Sequence, residues 1–436
     1  MLNALKKSLI KRICKNYYLN MCIYRLLLDI CFIRYVSAIF LRSTYGNYYT
    51  QGELRPELYM ISWLIFWPSL IFSKKWFDDG KASSIILIFL YYVCCVPFTS
   101  MMGYGCFDFY FSALNVIYWM CLFLFSRLLR GYLASGKAQE SRASNFFVFF
   151  VILVAVISTL YFGSKSHFRI DLDLGNAYNY RFSEEAVKTY GFEPYLIGLS
   201  RIIIPTGITY AVLNKKWILS IGLILCSVLN YSYDGGKTIL FISAASVFVG
   251  FFYQSNFKKM IPPLLNLLIL GGFAEYEILG SDIIIRILIR RLFFIPNLIN
   301  SAYYDYMRHQ PPNLFSHLLR FLGIPSSGSI SNVIGSVYFK ADYMSANTGT
   351  VGDALWQFKG MGVIVMPIMI VALLGLLDWA SKKVPEQYLI IPCLVFAYYI
   401  NNSCFTTALF THGLVPFVLL LILYHRRKRR TVYVWR

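Results

Sequence analysis

Charge is what this 436-residue chain has least of: Asp, Glu, Lys and Arg make up only 14%, against about 25% in ordinary soluble domains. That leaves too little polar surface to cover a water-facing globule of this length. Acidic residues are scarcer than basic ones, 21 against 41, which gives a net charge of +20. Histidine occurs only five times. No CxxC pair or Cys/His ligand cluster exists, and the cysteines sit mostly in apolar runs (Cys22, Cys31, Cys94, Cys95, Cys121, Cys226, Cys393). This excludes a disulfide framework and a structural zinc site. Internal repeats, low-complexity tracts and soluble domains are also lacking. The amino-terminal MLNALKKSLIKRICKNYY has no compact apolar stretch followed by a small-residue cleavage site. It is expected to remain attached, with the first membrane helix directing insertion.

Apolar residues supply the rest, at 58% hydrophobic and 18% aromatic, with a mean hydropathy of +0.56. Stretches long enough to cross a bilayer recur near 22–41, 57–73, 82–99, 107–128, 145–163, 194–213, 217–232, 238–254, 261–280, 361–379, 388–402 and 407–424. The expected fold is an all-α polytopic membrane protein of about twelve transmembrane helices, a single integral membrane domain over 1–436. The first stretch, interrupted by Arg25, Asp29 and Arg34, can alternatively lie in the interface as an amphipathic helix.

The basic residues are dispersed between apolar runs, which argues against nucleic acid and for anionic lipid or a phosphorylated substrate. Alternate connections carry Lys74, Lys75 and Lys81; Arg127, Arg130, Lys137 and Arg142; Lys215 and Lys216; Lys258 and Lys259; Lys382 and Lys383; and the tail ends RRKRR. By the positive-inside rule both termini are expected to be cytoplasmic. Two long outer loops then stand out, 164–193 and 281–360. Their charges are not required by topology.

The second loop opens with Ser281 and Asp282, suited to cap a helix. Arg286 and Arg290 follow one turn apart, with Arg291 beside them and Pro296 ending that helix and starting the next. The reading is of short helices along the membrane surface, presenting guanidinium forks that match phosphate oxygens. The same arginines can instead snorkel to lipid phosphates or pair with Asp282 and Asp305. Arg201, several residues inside the sixth stretch, is a costly intramembrane charge and so a functional candidate. Its alternative is a structural partner such as Glu275 or Glu277. YDGGKT at 233–238 is not a P-loop, because Tyr231 stands where its first glycine belongs. Still, Gly235, Gly236 and Lys237 put backbone N–H groups and a cation at a helix start. Tyrosines crowd the outer loops (Tyr45, Tyr48, Tyr49, Tyr178, Tyr180, Tyr303, Tyr304, Tyr306), suiting either sugar faces or the interfacial aromatic belt. No spacing resembles a metal site, and none is expected.

Two blocks, RRLFFIPNLINSAYYDYM at 290–307 and SANTGTVGDALWQFKGMGV at 345–363, resemble bacterial O-antigen and capsule repeat-unit polymerases of the Wzy type. With their setting they cover about a fifth of the chain; elsewhere the likeness is architectural. The resemblance implies a GT-C-like membrane fold in the bacterial inner membrane. It also implies undecaprenyl-diphosphate-linked oligosaccharides as donor and acceptor, joined at the periplasmic face by a metal-independent glycosyl transfer with no cofactor, and a chain-length regulator as a further partner. On that reading the catalytic residues are Arg290 and Arg286, stabilising the leaving diphosphate. The candidate bases are His317, His309, Asp173 and Asp353. Arg291, Arg201, Lys237, Arg169, Arg181, Tyr304 and Asn347 are the expected substrate-binding residues. The competing readings are a flippase or other transporter of lipid-linked sugars, the ligase that passes finished glycan to a lipid, and a non-enzymatic chain-length regulator.

Overall fold

The computed structural model describes residues 16–133, 145–173, 191–253, 257–316, 330–382, 384–418 and 421. Arg181, His317, Lys137, Arg142, Lys383 and the RRKRR tail lie outside them. The described residues are helical throughout, without a strand: α1 (Tyr17–Cys31), α2 (Ser37–Leu41), α3 (Pro56–Asp78), α4 (Ala82–Leu90), α5 (Val96–Gly103), α6 (Phe109–Leu133), α7 (Asn145–Lys165), α8 (Glu193–Leu213), α9 (Trp217–Asp234), α10 (Lys237–Phe252), α11 (Phe257–Leu279), α12 (Ile295–Met307), α13 (Ile330–Phe339), α14 (Thr350–Phe358), α15 (Gly362–Ser381), α16 (Glu386–Asn402) and α17 (Phe405–Phe410). Helices occupy eleven of the twelve expected places; at the twelfth, 407–424, the described residues hold α17 and a helical turn at 414–418. Six helical stretches among the described residues are long and apolar enough to cross a membrane: Ala82–Gly103, Phe109–Leu128, Phe146–Lys165, Glu193–Leu213, Trp217–Asp234 and Thr350–Ser381. Their outward faces are apolar, as at Phe109, Leu124, Phe149 and Ile218, which suits hydrocarbon and not water. This is the architecture of a helical membrane protein.

Packing follows two groups. Helices α7 to α10 form one, with α8 at its centre. The other is built from α1, α3 to α6, α11 and α14 to α16, and α8 joins the two by packing on α16. Where backbones must touch, the sequence supplies glycine. A Cβ on Gly198 of α8 would stand 2.0 Å from the Thr411 carbonyl, and one on Gly349 only 1.7 Å from that of Ile400.

The first helix is no surface helix. Arg25 and Asp29 are both buried and pair with each other across one turn. Arg25 also donates to Thr99 Oγ1 at 3.1 Å, Thr99 O at 2.8 Å and Ser62 Oγ at 3.1 Å. Tyr59 Oη and Ser100 Oγ donate to Asp29. Charge that marked this stretch as a poor span is neutralised inside the bundle, which is the arrangement a buried charge requires.

Three segments wind as π-helix, Phe32–Val36, Tyr91–Cys95 and Ile284–Phe294, and the last two pack against each other. Side chains satisfy carbonyls there: Asn297 Nδ2 donates to Cys94 O and Phe293 O, both at 3.2 Å, and Tyr24 Oη to Tyr92 O at 3.0 Å. Buried backbone oxygens rarely go without such partners.

Candidate functional site

The segment Ile284–Phe294 and α12 form one continuous rod, since Ile295 N still donates back to Arg290 O. Its start differs from the expected one. Ser281 and Asp282 do not cap it; Glu275, at the end of α11, accepts from Ile283 N at 3.1 Å, Ile284 N at 2.7 Å and Ser281 Oγ at 2.8 Å. Asp282 is spent instead on Arg286 Nε, 3.2 Å away. Nor does α12 lie along a surface: protein encloses it from Ile295 to Tyr304. Its polar stripe turns into the protein there, with Asn300 Oδ1 accepting from Gly352 N at 3.0 Å and from Thr348 Oγ1.

The π winding decides what the arginines can do. In an α-helix of 3.6 residues per turn, Arg291 would point about 140° away from Arg286. At roughly 4.4 residues per turn the two are separated by only about 50°, with Arg290 alongside. Ile285, Ile289 and Phe293 recur every fourth residue on the buried side. Arg286, Arg290 and Arg291 therefore occupy one flank, Arg286 and Arg291 exposed and Arg290 half-buried. The Arg290 guanidinium lies over the Tyr45 ring, 5.8 Å from its centroid. Its Nε is buried with no hydrogen-bond partner among the described residues. Burial, with repulsion from Arg291 and Arg286, holds its pKa below the ordinary guanidinium value, and Tyr45 opposes this. An anion placed on this flank relieves that repulsion by pairing with the guanidiniums.

Tyr45 belongs to the short turn Thr44–Asn47 that follows α2. The same turn presents Tyr48, whose hydroxyl donates to Asp305 Oδ2 at 2.6 Å. Phe339 of α13 packs between Tyr45 and Tyr48 at 5.2 and 5.9 Å, so one aromatic wall runs from Arg290 to Asp305. Tyr304 lies under Arg308, whose guanidinium is 5.5 Å from the ring centroid, and His309 is exposed at the end of the rod. Asn347 is exposed within the second resembling block and accepts from Ser345 Oγ at 3.2 Å.

Other expected site residues gather elsewhere, at the end of α9. Arg201 pairs with Asp234 Oδ2 at 2.7 Å, not with Glu275, which caps the rod, nor with Glu277, which takes Arg34 at 3.0 Å and Tyr35 Oη at 2.7 Å. Gly235 adopts a left-handed φ of 63° to end α9. Gly236 then presses against the pair: a Cβ there would meet Arg201 NH2 at 2.5 Å and Asp234 Oδ1 at 2.6 Å. Lys237 begins α10 beside them. Tyr399 Oη approaches Arg201, and its ring stacks on His412 at 3.8 Å. Arg169 is paired with Asp171 at 2.8 Å, and Ser232 and Tyr231 of α9 donate to the carbonyls of Arg169 and Asp173 at 2.9 and 3.1 Å. Thus Arg169, Asp173, Arg201 and Lys237 surround one helix end.

Asp353 is in neither group. It is buried, Oδ2 accepts Phe405 N at 2.6 Å and Oδ1 accepts Gln357 Nε2 at 3.0 Å. That geometry ties α14 to the start of α17, and residues 348–357 of the resembling block are buried. Sequence reasoning missed Asp234 as part of a site, and it singled out Tyr45 and Tyr48 only as outer-loop aromatics suited to sugar faces or to the interfacial belt. Asp234 was visible as the carboxylate preceding Gly235 and Gly236; nothing in the local sequence links Tyr45 to Arg290.

No protein-family model, curated protein or solved structure matches this chain.

Proposed function

We propose that the protein is a glycosyltransferase that polymerises undecaprenyl-diphosphate-linked oligosaccharide units into O-antigen or a related surface polysaccharide. In this reading the twelve helices cross the bacterial inner membrane in a GT-C-like arrangement, with both termini cytoplasmic and the Arg286–Arg291 flank periplasmic. The observation that carries it is the π-wound rod: three guanidiniums turned to one side, with Arg290 resting on a tyrosine and its Nε vacant. Guanidinium forks fit a diphosphate, and holding them in place beforehand stabilises charge where it develops.

The reaction breaks the bond between the donor sugar's anomeric carbon and its diphosphate oxygen. That oxygen leaves with the electron pair and is held by Arg290, Arg286 and Arg291. The acceptor's hydroxyl oxygen bonds to the anomeric carbon and its proton passes to water at the site, balancing the charge carried off on the diphosphate. Binding energy from the polyprenyl chain and saccharide positions both partners.

Arg290→Ala is expected to lower polymer formation about 100- to 1,000-fold, the usual loss when one preorganised charge-stabilising donor is removed. The variant should reach the membrane in normal amounts, and wild-type chain lengths from it would remove Arg290 from the mechanism. Deleting the gene should leave surface lipid carrying a single repeat unit. Complete loss of repeat units would instead indicate the ligase or flippase.

A further inference from the structure

The rod carries a second polar corner at its far end, roughly 20 Å from Arg290 at helical rise. Asp305 is half-buried there, and only its Oδ2 is occupied, by the Tyr48 hydroxyl at 2.6 Å. Because Tyr48 spends its proton on Asp305, Ser301 Oγ at 2.9 Å must donate to Tyr48 Oη. The donor chain ends on the carboxylate, whose Oδ1 has no hydrogen bond among the described residues. Tyr338 meets Tyr48 edge-on at 5.3 Å and 90°. One turn beyond, Arg308 is exposed over the Tyr304 ring, and exposed Asp108 and Tyr110 flank it.

We infer that this corner is a saccharide-binding subsite, with Asp305 as its hydrogen-bond acceptor and Tyr48 as the residue that positions it. Planar carboxylate and guanidinium groups pair with the alternating donors and acceptors of sugar hydroxyls, while tyrosine rings offer flat apolar faces to sugar C–H groups. A diphosphate subsite needs a surplus of cations, which the Arg286–Arg291 flank has with three guanidiniums against Asp282; here one carboxylate and one guanidinium stand together. The separation along the rod suits one extended molecule, its diphosphate at Arg290 and its sugar chain over the half-buried Tyr45 and Tyr48 rings, which the buried Phe339 backs. The inference rests on the glycosyl-transfer reading and assigns part of its substrate to particular residues.

The test uses the full-length protein in neutral-lipid nanodiscs and two probes: undecaprenyl diphosphate alone, and the saccharide-bearing form extracted from cells lacking the gene. Wild type should bind the saccharide-bearing form at least tenfold more tightly. Asp305→Asn and Tyr48→Phe should each remove about tenfold of that margin, the worth of one hydrogen bond to a charged group. Both should leave affinity for the sugar-free form within twofold. An unchanged margin in both variants overturns the subsite, and so does equal weakening of both probes, which would mark the corner as structural. If wild type binds the two probes equally, the subsite fails while diphosphate binding stands. If wild type binds neither, the glycosyl-transfer reading falls and takes the subsite with it.

Discussion

Replacing Arg25 by leucine asks how a helix with two opposite charges in its middle can sit inside an apolar bundle. Asp29 is 3% exposed and Arg25 fully buried. Without Arg25, Asp29 retains the Tyr59 and Ser100 hydroxyls as donors but has no counter-ion. An uncompensated buried charge costs about 3–5 kcal/mol. Asp29→Leu strands Arg25 in the same way, leaving it only neutral acceptors on Ser62 and Thr99. The double variant removes both charges together. Ser62 and Thr99 then keep their own bonds to Tyr59 O and Val96 O, both at 2.7 Å. Only Tyr59 and Ser100 lose an acceptor; Tyr59 is half-buried, so the loss falls mainly on the buried Ser100, about 1–3 kcal/mol. The double variant should therefore be more stable than either single by about 2 kcal/mol. Unfolding in mixed micelles with rising SDS fraction, followed by tryptophan fluorescence, measures all four corners of the cycle. A double variant less stable than both singles would refute the reasoning, as would single losses below about 1 kcal/mol.

Gly349→Ala places a methyl 1.7 Å from the Ile400 carbonyl, a backbone clash that should cost about 3 kcal/mol or more; the yield of monodisperse protein in detergent would show it. Gly236→Ala meets only the movable ends of Arg201 and Asp234, so it should fold normally yet weaken undecaprenyl-diphosphate affinity several-fold. Gly222→Ala, with nothing within 4 Å, is the control, and equal affinities would exclude Arg201 from binding. Burial raises the Asp305 pKa, while the Tyr48 hydroxyl and Arg308 hold it down against Asp108. The ionised form accepts sugar hydroxyls, so saccharide-dependent affinity should fall as pH drops through that raised pKa. Tyr48→Phe removes a group that favours the anion and should move this inflection to higher pH; a shift to lower pH would contradict the assignment.

Long apolar runs at regular intervals were enough to locate the helices, because membrane helices are specified by local hydropathy. Gly235–Lys237 and Pro296 were likewise readable, as the starts of α10 and α12. The residues that depend on partners were not. Arg25 and Asp29 looked like interruptions because their neutralising neighbours, Ser62, Thr99 and Ser100, come from other helices. Asp353 looked available for proton transfer, but its oxygens are committed to Gln357 and Phe405. Glu275 and Glu277 looked equally suited to Arg201, yet Asp234 takes it.

Composition by itself determined that this chain must be helical and surrounded by something apolar: so few charges leave the backbone to satisfy its own hydrogen bonds within each segment. The presence of Arg286, Arg290 and Arg291 was equally plain. Their common direction was decided only by tertiary structure, because π winding depends on packing against Tyr91–Cys95 and α11 and on the Glu275 cap. The pairing of Arg290 with Tyr45 and of Tyr48 with Asp305 spans more than 240 residues of sequence, and no local propensity reaches that far.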